Sequence, residues 1–197
     1  KLIYVTERRR VQGDAHDYLS RLLSGRPDAL LIREKDLSDE ALIRFAAPLV
    51  PIAERCGVPL ILRGSAEQAR QLGISRLQLS SQKRSPRPCR RILTASAFRA
   101  QSRGSSRSPK LGADTVTYGH IFTSPCKPGL PPRGTAALDE IVRACTIPVY
   151  AIGGITSDTL PFLLPIHPAA ACLMSASMTD PEPETLTTRL RRILERS

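Results

Sequence analysis

Ile147-Pro148-Val149-Tyr150-Ala151-Ile152-Gly153-Gly154-Ile155-Thr156 is the stretch on which the fold turns. Residues 147–151 are a short apolar run, as in a strand covered on both faces. It ends on two glycines, and residues 158–164 then carry the spacing of a short helix. A strand pattern at 169–174 and a closing helix at 182–194 complete the cycle. The same order runs back through the chain. Strands are expected at 2–6, 29–32, 58–62, 76–79, 91–95 and 114–118. Helical spacing fills 15–23, 36–56, 65–72 and 135–145, with Ser38 as an N-cap, Gly57 as a stop, and Pro48 and Pro51 as breaks. Eight strands, each followed by a helix or its remnant, require a parallel sheet. An open doubly wound sheet would satisfy the alternation, but eight units favour a (β/α)8 TIM barrel, with 197 residues making a small one. No boundary divides the cycle, so a single domain over 1–197 is expected.

Composition narrows the class. Hydrophobic residues at 41% and charged residues at 24% are ordinary globular values, and no stretch has the roughly 20 apolar residues of a membrane span. The N-terminal Lys1-Leu2-Ile3-Tyr4-Val5 reads as a strand rather than a secretory leader. Cys56, Cys89, Cys126, Cys145 and Cys172 form no C-x-x-C pair and sit at no zinc spacing with a histidine, so reduced thiols and a cytoplasmic location are expected. The chain carries 29 Lys and Arg against 18 Asp and Glu, a net charge of +11. Nine of these cations lie between Lys83 and Lys110, where there is no acid. Such a cluster suits nucleic acid, but Phe98 is its only aromatic residue, which argues for a solvated surface. Residues 101–109 are rich in Ser, Arg and Gly and stand where a fifth helix belongs. That helix is expected to be degraded into a loop.

In a barrel of this kind, chemistry belongs at the C-terminal ends of the strands. Gly153-Gly154 follows the seventh strand and Met174-Ser175-Ala176-Ser177 the eighth, the two places where barrels bind phosphate through backbone amides. Gly153, Gly154, Ser175 and Ala176 are therefore the candidate phosphate site. The loop from 119 to 134 carries four prolines and three glycines and opens with His120 just beyond a strand end. That position makes His120 a candidate proton carrier, whereas His16 and His167 are read as structural.

Several segments together resemble the thiamine phosphate synthase/TenI family. They are Leu2-Ile3-Tyr4-Val5-Thr6, Ile32-Arg33-Glu34-Lys35-Asp36, Leu111-Gly112-Ala113-Asp114, Lys127-Pro128-Gly129, Arg133-Gly134 and the 147–155 stretch. The resemblance implies a (β/α)8 barrel, in agreement with the strand count. It also implies one of two activities. A synthase of the family joins a pyrimidine pyrophosphate to a thiazole phosphate and holds the pyrophosphate through Mg²⁺. It typically has Asn-Asp after strand three and an acid after strand four. This chain has Arg63-Gly64 and Ser80-Ser81-Gln82-Lys83-Arg84 there. Magnesium needs oxygen ligands, so these departures speak against the metal site. Gly119-His120 instead resembles the TenI-type thiazole tautomerases, with His120 as acid and base.

The resulting expectation is an isomerase that aromatises a carboxythiazole ethyl phosphate without metal or cofactor. Arg33, Lys35, Ser124 and Lys127 would bind the substrate; Arg33 has the structural alternative of pairing with Glu34 or Asp36. A degenerate synthase and a non-catalytic regulatory or nucleic-acid-binding protein are the alternatives. The partner expected is a small phosphorylated thiazole, with no membrane and a homo-oligomer left open.

Overall fold

Eight parallel strands close on themselves in sequence order, with the last paired to the first. The computed structural model describes residues 1–80, 90–95 and 114–195. The first half runs β1 (Leu2–Val5), α1 (Ala15–Ser24), β2 (Ala29–Ile32), α2 (Asp39–Ala46), α3 (Leu49–Cys56), β3 (Leu60–Leu62), α4 (Ala66–Gln71) and β4 (Arg76–Ser80). The second runs β5 (Arg90–Ala95), β6 (Thr115–Gly119), α5 (Gly134–Ala144), β7 (Val149–Ile152), β8 (Ala170–Leu173), α6 (Ser175–Met178) and α7 (Pro183–Glu195). The expected α/β barrel is the fold observed.

Strand alternation decides what faces the barrel axis. Ile3, Val5, Ala29, Leu31, Ile61, Ala170 and Cys172 form one buried cluster, the filling of the barrel. Their neighbours Leu2, Tyr4, Leu30, Ile32 and Leu62 belong to the larger cluster under the helices. Strands buried on both faces need continuous apolar runs, and each buried Leu or Ile contributes roughly 1.5–3 kcal/mol. The helices are held by sequence-local caps. Asp14 accepts from the amides of His16 and Asp17, Ser38 accepts from Ala41, and Ser65 and Gln68 form a capping box on α4.

One expected helix break is met, and two helical expectations are corrected in detail. The segment 36–56 breaks at Pro48, as expected, into two helices, because Pro48 lacks an amide donor and begins a new turn. Pro51 does not break α3, since it lies in the first turn, where amides have no intrahelical acceptor. The segment after β7 is a 3-10 helix, Leu160–Ile166, with prolines at 161 and 165 that remove donors. The small residues after β8 form the short helix α6. The proposed remnant of a fifth helix, most of the Lys83–Lys110 cluster and Cys89 lie outside the described residues. Cys56, Cys126, Cys145 and Cys172 are free thiols. Among the described residues, no helix is long and apolar enough to cross a membrane.

Candidate functional site

Continuing the alternation one step past the strands shows what rims the C-terminal mouth. Val5 pairs with Leu31 and Leu31 with Ile61, so Glu7, Arg33 and Arg63 stand side by side one layer above the apolar filling. Leu62 pairs with Leu77, which sets Gln78 beside Arg63. On β8 the same parity brings Met174 to the rim, and its sulfur lies 3.7 Å from Arg33 Nη1. The Arg33 amide donates to Thr6 Oγ1 at 2.9 Å and the Arg63 amide to the Ile32 carbonyl at 2.9 Å, so both backbones are fixed by the barrel.

Glu34 and Asp36, the acids close to Arg33 in sequence, are engaged elsewhere. Glu34, with a fully buried side chain, accepts the Arg8 amide at 3.1 and 3.3 Å and lies 3.7 Å from Arg8 Nη1. Burial raises its pKa, opposed by the bonds from Thr6 and the Arg8 amide. Asp36 takes Arg8 at 2.6 Å and Arg9 at 2.9 Å. The alternative of an Arg33 ion pair with Glu34 or Asp36 is therefore not what forms. Desolvation lowers the Arg33 pKa first, and the Arg63 charge lowers it further. For Lys35, the Arg33 charge is the largest lowering influence, followed by burial, Arg63 and, more weakly, Lys127. Glu7 is the carboxylate that offsets this repulsion most in both cases. Arg33, Lys35, Arg63 and Lys127 thus share one electrostatic neighbourhood at the mouth.

The opposite side is built from backbone and small groups. Gly153 and Gly154 follow β7 with φ of +100° and +68°, a region that disfavours side chains. A Cβ at Gly153 would collide with His120, and one at Gly154 with Thr123 and Phe122. The loop after β6 lies on them, with Phe122 donating to Gly153 O and Ile121 to Ile152 O, both at 3.0 Å. That loop is pinned at its far end too, because the amides of Arg133 and Gly134 donate to the carbonyls of His120 and Ile121 at 3.0 Å.

His120 is 7% exposed, and its Nε2 lies 3.3 Å from the Leu130 carbonyl within the same loop. Ser124 is buried, and its hydroxyl accepts the Cys126 amide at 3.3 Å, shaping the turn that carries Lys127. Cys126 ties the mouth together. Its sulfur is 3.3 Å from Arg10 Nη2 and 3.3 Å from Ser175 Oγ, linking the segments after β1, β6 and β8.

Two rim residues were not singled out as binding groups from sequence. Arg63 counted there only as the loss of a metal ligand. Gln78 is 4% exposed, and its Oε1 has no hydrogen-bond partner among the described residues. The period-2 pattern on β4 could have placed it inside. A cavity of about 600 Å³ lies at the other end of the barrel, among Lys1, Asp28, Arg76 and Asp114. The mouth is identified here by register and charge, not by volume.

The described residues at the mouth do not suit the divalent metal that the resemblance implies. Among the described residues, no three His, Cys, Asp or Glu side chains come together as a metal site. Where carboxamide and carboxylate ligands would stand, the chain has a guanidinium and a glycine.

Residues 2–176 match the family described as thiamine monophosphate synthase. A thiamine-phosphate synthase of Roseiflexus castenholzii is 29% identical over 196 residues, covering 96% of this chain and 86% of its own. One of Thermus thermophilus is 27% identical over 184 residues, covering 90% and 88%. The solved thiamine phosphate pyrophosphorylase of Pyrococcus furiosus superposes with a TM-score of 0.79 at 20% identity, over 100% of this chain and 96% of that one. The curated relatives are named for a transferase, which overturns the expectation of an isomerase with synthase activity set aside. The isomerase reading gave His120 an acid–base duty, on its position just past a strand end and on the Gly119-His120 pair. Its Nε2 lies 3.3 Å from the Leu130 carbonyl.

Proposed function

Because the chain belongs to the thiamine monophosphate synthase family, we propose that it acts in thiamine biosynthesis as a synthase-type transferase. It joins a pyrimidine pyrophosphate to a thiazole phosphate. The bond from carbon to the diphosphate oxygen breaks, the thiazole nitrogen supplies the new bond, and the diphosphate leaves with the electron pair. The observation that carries this reading is the convergence of Arg33, Lys35 and Lys127 on one rim, with the acids next to Arg33 occupied by Arg8 and Arg9. Cations held in a partly desolvated mouth stabilise charge that develops on a leaving diphosphate.

Gly153, Gly154, Ser175 and Ala176 would hold the phosphate of the thiazole on the far side. Gln78 Oε1 offers an acceptor for an N–H of a bound heterocycle. His120 and Ser124 would act on the loop that presents Lys127 rather than on the reacting atoms. Residues 1–197 are taken as one domain, and the partners are small phosphorylated molecules. The test is incubation of the purified chain with both substrates, with and without Mg²⁺, and chromatographic measurement of thiamine phosphate. Formation of product is expected; no product in either buffer would overturn the reading.

A further inference from the structure

We propose that Arg63 takes the place of a divalent cation, so that this mouth binds a diphosphate group as the free anion, without metal. The identity of the ligand rests on the transferase reading above; the metal-free mode of binding rests on the residues below.

Arg63 is one position past Leu62, and Arg33 one past Ile32, on strands whose register pairs Leu62 with Ile32. The two guanidiniums therefore rise from adjacent strands at one height, both half-buried. Lys35 and Lys127 flank them, exposed, and feel the same field. Like charges placed together in a partly buried rim cost stability in the empty protein. An anion lying between them removes that cost and gains charge-assisted hydrogen bonds. A doubly charged cation brought to the same place would add to the repulsion, which Glu7 offsets only in part.

A carboxylate at position 64 would have to displace the α4 cap. A Cβ there would lie 2.5 Å from Gln68 Oε1, which is held at 2.6 Å by the Ser65 amide as half of the α4 capping box. The cap that starts α4 occupies the space a metal-binding side chain would need. Charge for a diphosphate then has to come from side chains, and Arg63 is the one that stands at that point. Its planar fork offers paired donors to phosphate oxygens, a geometry that a lysine does not match.

The test is calorimetric titration of the full chain with inorganic pyrophosphate, once in EDTA and once in excess MgCl2. Binding in EDTA is expected, weakened when Mg²⁺ draws off the free anion. Arg63→Gln should lower the affinity in EDTA by roughly 10- to 100-fold. Its thermal midpoint should be equal to or above that of the parent, because one like charge is gone. Binding that requires Mg²⁺, unchanged affinity in Arg63→Gln, or equal affinity for sulfate would each overturn the proposal. Metal-free pyrophosphate binding with no thiamine phosphate formed would overturn the transferase reading and support this one. Thiamine phosphate formed only with Mg²⁺ would do the reverse.

Discussion

On the β2–β3 side of the mouth, Arg33 and Arg63 rise from neighbouring strands, and burial and the Arg63 charge make the Arg33 charge more costly. On the β6–β8 side, Gly153, Gly154 and Ser175 bring backbone and small groups, and a loop rests where side chains are missing. The first side keeps electrostatic strain that a ligand can relieve. The second is satisfied within itself, its loop hydrogen-bonded at both ends. Removing a group should therefore have opposite consequences on the two sides: loss of binding with little loss of stability on one, loss of stability first on the other.

The largest expected effect lies on the packed side. Gly153→Ala must adopt a positive φ and push against His120, at a cost of about 2–4 kcal/mol in urea unfolding. A stability equal to the parent's would erase the contrast between the two sides. Next comes Gln78→Leu, which removes a buried acceptor without a described partner. It should stabilise the empty protein by about 1–2 kcal/mol while raising KM for the heterocycle. Destabilisation together with an unchanged KM would remove Gln78 from the site. His120→Phe loses the contact with Leu130 and should cost about 1 kcal/mol, with turnover falling only several-fold. A fall of roughly 10²–10⁴-fold would restore general acid–base duty to this imidazole.

The smallest effect is a pH dependence on the cationic side. Lys35 titrates below its ordinary 10.5, chiefly because of Arg33. Between the lowered value and 10.5 the unfolded chain holds more protons than the folded one, so this group adds stability as pH rises through that window. Lys35→Met should consequently be more stable than the parent at neutral pH, on the order of 0.3 kcal/mol for so exposed a group. The advantage should shrink as pH approaches 10.5. An advantage that grows with pH would contradict the like-charge picture.

Much of the barrel was legible because strand and helix periods are local. The run 29–32 needed only four apolar residues in a row, and α1 only its spacing from Ala15 to Leu23. The misreadings fell where proline position matters more than proline presence, at Pro51 and in the 3-10 segment after β7. At the mouth, Arg33, Lys35 and Lys127 could be placed after strands from the sequence alone. His120 was legible as a residue just past a strand end, but its contact with the Leu130 carbonyl, ten residues on, was not.

The sequence by itself determined the alternation of strands and helices and the family, because each follows from short-range pattern. Only the tertiary structure decided that Arg8 and Arg9 take the acids Arg33 could have used, that Arg63 stands level with Arg33, and that Gln68 fills the space beside Gly64. Those are matters of register and competition between residues far apart along the chain. Charge pairing depends on distances that closure of the barrel alone sets.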